Sequence, residues 1–412
     1  MNADVKDLKL ADSGRRLIEW ADRQMPVLRR IRERFTSERP LDGLRIAAGL
    51  HITPETAVLM RTLKAGGAEL ALCASNPLST RDEICASLVL HDGVAVYARY
   101  QEDVETYYSH VESVLALDPH ILMDDGADLI ARQPKGAIIG ALEETTTGVI
   151  RVRAMERQRL LRFPVIAVND SPTKRFFDNR YGTGQNTIDG ILRATNTLIA
   201  GKTAVVAGYG WVGRGIASRL RGMGAQVIIT EISAHLAIEA LMEGYRVLPI
   251  MEAVREADLI VTATGNTQIV STEHLPYLKD GVLLCNSGHF DVEIDVKALR
   301  RAAISRTSVR PNTEEYLLDS GRRVYLLAEG RLIGQAAAEA SPASVMDMSF
   351  ANQALATEWL VRHHKKLHYG VYEVPAEIDE FIARLKLETL GVRIDTPSSA
   401  QLAYANAWNE GT

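Results

Sequence analysis

The chain has 412 residues, more than one hydrophobic core usually serves, so two domains are expected. With 46% hydrophobic residues, 24% charged residues and a formal net charge of -5, it reads as an ordinary globular protein without the basic surplus of a nucleic-acid binder. No stretch reaches the roughly 18 apolar residues of a membrane span, and the opening MNADVKDLKLADSGRRL has no apolar signal core, which predicts a cytoplasmic protein with no membrane partner.

Along the chain, apolar β-branched runs alternate with helical patterns. A first series comprises RIAAGL (45–50), AELALCAS (68–75), VAVYAR (94–99), HILMDD (120–125) and FPVIAVN (163–169), with helical segments such as PETAVLMRTLKAG (54–66) between them. A second series runs TAVVAGYG (203–210), AQVIITE (225–231), LIVTATG (259–265) and GVLLCNSG (281–288). This alternation predicts an α/β fold with two doubly wound parallel sheets. A hairpin is expected in YLLDSGRRVYLL (316–327) with Ser320-Gly321 at the turn, and beyond Pro342 the pattern is helical again, ending in IDEFIARLKLETLG (378–391) and a polar tail. Cys73, Cys85 and Cys285 stand alone in apolar contexts with no metal-ligand spacing, so they read as buried thiols and no metal site is predicted.

In open α/β sheets, ligands bind beyond the carboxyl ends of the strands. Those positions hold His51, Asn76, Asp124, Asp125, Asn169 and Asp170 in the first series, and Asn266 and His289 in the second. Gly208, Gly210 and Gly213 form G-Y-G-W-V-G between a strand and a helix, where glycines permit a tight turn and close backbone approach to a pyrophosphate. Glu231 closes the next strand, placed to accept from both adenosine ribose hydroxyls and to repel a 2′-phosphate, so NAD is expected rather than NADP.

The segments LHITPET (50–56), SNPLSTRDE (75–83), DDGADL (124–129), EETTTGV (143–149), VNDSPTKRFFDNRYG (168–182), VVAGYGWVGRG (205–215), SGHFDVEID (287–295) and LLAEGRLI (326–333) together resemble S-adenosylhomocysteine hydrolase, from about residue 10 to the C-terminus. The resemblance implies a tightly held NAD that transiently oxidises a ribose 3′-hydroxyl. The ketone acidifies the C4′ proton, the 5′ substituent is eliminated, and the ketone is reduced again. Lys174 and Asp178 would carry proton and hydride work, with Asp125 and Glu144 near the sugar and the carboxylates tuning the lysine for base work. His51 and His289 would serve the 5′ side. Thr53 and Glu55 would hold the adenine edge, with Asn76 and Ser79 also at the substrate. Thr145, Thr146, Thr147, Asn179, Asn266 and Gly288 would join Glu231 and the glycines around NAD. The implied architecture is a substrate domain of residues 1–182 plus 342–384, a Rossmann NAD domain of 183–341, and an oligomerisation tail of 385–412, in a tetramer by resemblance.

Three positions depart from the family pattern. Gly334 stands where the family usually has an asparagine after L-V, Ser341 where it has the histidine of G-H-P, and Arg81 where it has the glutamine of S-T-Q-D. An arginine is a permanent cation, and it is expected to replace a monovalent ion by satisfying the same carbonyls, with no potassium dependence. Because all three changes fall where homocysteine would enter, they favour a divergent nucleoside dehydratase that expels water and leaves a 4′,5′-unsaturated sugar. Adenosylhomocysteine hydrolysis is the alternative.

Overall fold

The computed structural model describes residues 3–409, and in it the apolar runs pair into two eight-stranded sheets. The first sheet has the spatial order Asp4–Val5, Ala95–Ala98, Glu69–Ala74, Arg45–Leu50, Ile121–Asp124, Gly140–Glu143, Val165–Ala167, Val371–Glu373, with every pairing parallel. Its central strands are covered on both faces: Ala47, Ala48, Leu72, Leu122 and Met123 are fully buried. That is why they read as continuous apolar runs rather than alternating ones. Gly140–Glu143 escapes a sequence reading because it is only GALE, with no β-branched residue, and the strands at the two edges are two and three residues long.

The second sheet runs Arg246–Val247, Gln226–Thr230, Thr203–Ala207, Leu259–Thr262, Val282–Asn286, Arg323–Leu327, Thr313–Leu318, Ala303–Arg310. The first six are parallel. The expected hairpin is present as Thr313–Leu318 against Arg323–Leu327, and Ala303–Arg310 extends it by a further antiparallel strand.

In each sheet the chain winds outward in one direction and then returns to wind in the other. The reversal lies between Arg45–Leu50 and Ile121–Asp124 in the first sheet, and between Thr203–Ala207 and Leu259–Thr262 in the second. The carboxyl ends of strands at such a switch point leave a crevice, so His51, Asp125, Gly208 and the Ala263–Gly265 turn are where ligands are to be sought.

The helix Ala343–His363 packs Phe350, Ala351, Ala354 and Leu360 into the same core as Ile46, Leu72 and Met123, so the chain returns to the first sheet after building the second. The chain's two passages between the sheets touch: a Cβ on Gly182 would lie 2.8 Å from Ser341 Oγ. The three cysteines lie buried as free thiols. Among the described residues no helix is long and apolar enough to cross a membrane. The C-terminal segment leaves Leu390, Ile394, Leu402 and Tyr404 exposed, and Trp408 is 94% accessible.

Candidate active site

The two switch points face a common cleft of about 1060 Å³. From the first sheet it is lined by His51, Asp125, Glu144, Thr145, Thr146, Thr147, Lys174, Asp178 and Asn179; from the second by Gly208, Gly210, Glu231, Asn266, Gly288 and His289; Ser341 lies at the passage between them. Under this lining two buried carboxylates brace the loops. Glu143 Oε1 accepts from the amides of Gly126 and Thr145, and Asp124 accepts from the amides of Asp125 and Ile130. Burial raises both above the ordinary carboxylate range, Asp124 to about 7.

Lys174 is the hub. Its Nζ lies 3.1 Å from Asp178 Oδ2 and 3.8 Å from Glu144 Oε1, and it donates to Asn179 Oδ1 at 2.9 Å and Asn169 Oδ1 at 3.3 Å. Burial pulls its pKa down, but Asp178, Glu144 and Asp125 more than offset that, and the net shift is upward. At rest, then, these carboxylates hold Lys174 as an ammonium rather than as the free base that proton abstraction needs. Glu144 accepts from Gln353 Nε2 at 2.5 Å, and burial, partly offset by Lys174, pushes its carboxyl up to about 8, so it carries a proton at neutral pH. Gln353 comes from the returning helix, two hundred residues away in sequence, and nothing local marks it. The lone helical Gln would pass for a surface residue.

His51 Nδ1 sits 2.6 Å from Ser79 Oγ and 3.0 Å from Ser75 Oγ, while its Nε2 lies 3.5 Å from Asp125 Oδ2. His289 Nδ1 lies 3.7 Å from the other oxygen of Asp125, and the two imidazole centroids are 5.6 Å apart. Burial is the main cause that lowers both histidines to about 4, so both are neutral near pH 7. A folded chain with such a histidine binds fewer protons than the unfolded chain. Its contribution to stability is thus intact above about 6.5 and lost as pH falls toward 4. Relative to His289→Gln, the unmodified protein is expected to lose about 3 kcal/mol across that window, the other titrating groups cancelling in the difference. Denaturant unfolding at both ends of the window reads this, and a difference that stays flat refutes it.

The glycine loop fits a dinucleotide. Gly208 has φ +97°, and a Cβ there would lie 2.6 Å from the Ala263 carbonyl; a Cβ on Gly213 would lie 1.9 Å from the Gly208 carbonyl, locking strand to helix. Gly210 faces open space in the cleft and begins the helix Trp211–Gly222, whose first turn has no side-chain cap. Free amides at a helix start with no side chain in front are the requirement for holding a pyrophosphate. Glu231 is held at the cleft wall by amides of Tyr209, Ile232 and Ser233. Gly213 itself does not line the cleft; it stands behind it as the packing glycine.

The remaining expected residues lie to one side. Thr53, Ser79 and Arg81 line a smaller polar pocket of about 330 Å³ that shares Gln335 and Ala340 with the main cleft. Thr53 also caps the helix Pro54–Ala65, accepting from Thr56 N. Glu55, in the first turn of that helix, is buried with Oε2 unpartnered, and burial raises its pKa. Asn76 turns inward to accept from Leu78 N, shaping the loop rather than facing the cleft. Arg81 does not seek backbone carbonyls. It pairs with Glu339, which also accepts from Arg193 at 3.0 Å, and this arrangement corrects the expected ion-like role.

The other departures are filled as well. A Cβ at Gly334 would fall 2.0 Å from Asn186 Oδ1, so the Asn186 carboxamide occupies the space in which a side chain at 334 would start. Its Nδ2 donates to Ser341 Oγ at 3.3 Å. Sequence reading misses Asn186 because only the fold brings it against residues 334 and 341. Three isolated substitutions are thus a rebuilt corner, and the inference from them to a vacated homocysteine site loses its basis.

With this geometry in hand, likeness to known proteins is informative. Residues 179–340 match the family model described as S-adenosyl-L-homocysteine hydrolase, NAD binding domain, and residues 2–137 match S-adenosyl-L-homocysteine hydrolase. The adenosylhomocysteinase of Aquifex aeolicus is 56% identical over 100% of both chains, and that of Saccharolobus solfataricus 54%, again over 100% of both. The chain belongs to the S-adenosyl-L-homocysteine hydrolase family. The adenosylhomocysteinase of Nostoc is 55% identical over 99% of this chain and 98% of its own. Membership settles the cofactor as NAD, in agreement with the glycine loop and Glu231. It also makes the chain an enzyme of a hydrolase family. The expected preference for a dehydratase finds no support in these relatives, all three of which are named adenosylhomocysteinase.

Proposed function

We propose that this chain hydrolyses S-adenosyl-L-homocysteine to adenosine and homocysteine. The observation that carries this is the full-length identity to adenosylhomocysteinases, joined to a cleft in which Asp178 Oδ1, Glu144 Oε1 and His289 Nε2 are buried without partners. Buried polar atoms are rarely left unpaired, and three around one cavity suit a hydroxyl-rich ligand.

Bound NAD supplies the hydride acceptor and donor for the ribose 3′ carbon, held by Glu231, the Gly208–Gly210 turn, Asn179, Asn266, Gly288 and the threonines 145–147. Asp178 accepts from the 3′-hydroxyl through its free oxygen, while Lys174 polarises the same oxygen. A substrate that expels water deepens the burial that already pulls the Lys174 pKa down, the direction needed for it to release its proton and serve as base at C4′. Protonated Glu144 donates to the sugar. Neutral His51 takes a proton from the incoming water. That protonation state favours hydrolysis over dehydration: a thiolate departs with little help, whereas hydroxide needs a well-populated imidazolium, which burial disfavours. Thr53 and Glu55 take the adenine edge, the carboxylate accepting from the exocyclic amine.

The test is to incubate the purified protein with adenosylhomocysteine while trapping free thiol, and in parallel with adenosine while following loss of water by mass. Thiol release over many turnovers is expected; water loss without thiol release would overturn the assignment.

One further expectation concerns the surroundings. The exposed apolar residues from Leu390 to Trp408 are assigned to a contact with another copy in a cytoplasmic homotetramer. A chain ending at residue 391 should therefore scatter light as a smaller assembly, and an unchanged mass would remove that role.

A further inference from the structure

His51, Asp125 and His289 each offer one donor atom, and these atoms lie within 4.8 Å of one another. The Asp125 carboxylate sits between the rings, with one oxygen 3.5 Å from His51 Nε2 and the other 3.7 Å from His289 Nδ1. Both distances are too long for hydrogen bonds. They are close to the about 3.3 Å that separates two ligands of a tetrahedral zinc ion at ordinary Zn–N and Zn–O lengths. The three groups have the composition of a three-ligand zinc site with one position open to the cleft.

The surroundings of His51 also favour a metal. His51 Nδ1 rests on the hydroxyls of Ser79 and Ser75, the outer-shell contact that orients a ligating imidazole and turns its other nitrogen toward the metal. His289 is held between Gly126 and the ring of Phe290 and turns Nδ1 toward Asp125; its Nε2 is unpartnered, so the outer-shell support of the site comes from the His51 side. The charged groups nearby are Lys174 and Arg151, which oppose a cation, and Asp125, Asp178 and Asp128, which favour one; Glu144 holds its proton near neutrality and brings no charge.

We infer that His51, Asp125 and His289 form an inhibitory site for a borderline-soft divalent cation, of which Zn²⁺ is the representative. Bound there, the ion takes the Nε2 lone pair of His51 and stops turnover without entering the reaction; a chelator restores activity.

The experiment uses chelator-treated protein with its NAD retained. Calorimetric titration with Zn²⁺ alone is expected to give one site per chain, and Mg²⁺, a hard oxygen-seeking ion, no heat. Co²⁺ in place of Zn²⁺ should produce the intense visible bands of a four-coordinate nitrogen–oxygen site, a readout on the unmodified protein that does not depend on activity. His289→Gln should abolish those bands, and Ser79→Ala should weaken Zn²⁺ binding by about tenfold or more through loss of the outer-shell contact. Absence of a stoichiometric Zn²⁺ site, an octahedral Co²⁺ spectrum, or equal Zn²⁺ affinity in folded His289→Gln and Asp125→Asn would each overturn the proposal.

Discussion

Lys174→Met is expected to lower thiol release by roughly a hundred- to ten-thousand-fold, the span that a positioned proton-transfer group contributes, while NAD stays bound. The methionine matches the lysine stem in volume but offers no proton and no charge. The diagnostic measurement is incorporation of solvent deuterium at C4′ of added adenosine, which requires both ketone formation and proton removal. Exchange should vanish in the variant, with cofactor content by chromatography unchanged. Exchange surviving within a few-fold of the unmodified rate would exclude Lys174 from the base role.

The same substitution probes the cluster's electrostatics. Lys174 is the cation among Asp178, Glu144 and Asp125, and removing one partner of a buried charged set costs about 3–5 kcal/mol when the rest stay ionised. Glu144 already holds its proton near neutrality and so leaves no unpaired charge of its own in the variant, and burial shifts Asp125 in the same direction. The variant should therefore stay folded, with a penalty that grows as pH rises above about 8, where Glu144 ionises beside Lys174 in the unmodified protein but is held protonated without it.

Two glycines a turn apart should fail in different ways. In Gly213→Val the new Cβ meets the Gly208 carbonyl at 1.9 Å, a backbone atom that cannot swing aside, so the helix Trp211–Gly222 must shift off the strand Thr203–Ala207. Overpacking of this kind costs about 1–3 kcal/mol or more, and both melting temperature and bound NAD should fall together. In Gly210→Ala the added methyl meets nothing within 4 Å. The protein should melt as before yet retain cofactor at least about tenfold more weakly, since the methyl stands where a pyrophosphate must approach the helix amides. Equal NAD retention in Gly210→Ala and the unmodified chain would show that the loop does not hold the phosphates.

Much of this site is legible in the sequence because the fold puts its chemistry at predictable places. Apolar runs such as RIAAGL and TAVVA declare parallel strands; the polar residues that close the first series deliver His51 and Asp125 to the switch point, and the glycine motif after TAVVA delivers Gly208 to the other. What escapes depends on long-range partners. The proton on Glu144 and the charge on Lys174 are set by burial and by each other, neither of which spacing encodes. Gln353 and Asn186 reach the site region from helices whose own patterns look ordinary. Arg81, Gly334 and Ser341 are visible as departures, but their meaning lies in Glu339 and Asn186, which no local motif connects to them.

The path of the chain also has a consequence for biosynthesis. Phe350, Ala354 and Leu360 belong to the core that holds Ile46, Leu72 and Met123, so the first sheet cannot complete its interior until about three hundred further residues have left the ribosome. The glycine-loop sheet, by contrast, takes all its strands from residues 203–327, one uninterrupted stretch. The nascent chain therefore finishes its cofactor-binding half first and carries the other half unsealed until the helix Ala343–His363 is released. Chains truncated before that helix should bind NAD through Gly208, Gly210 and Glu231, more weakly for want of a settled Thr145 to Thr147 segment, while remaining sensitive to protease within residues 45–167.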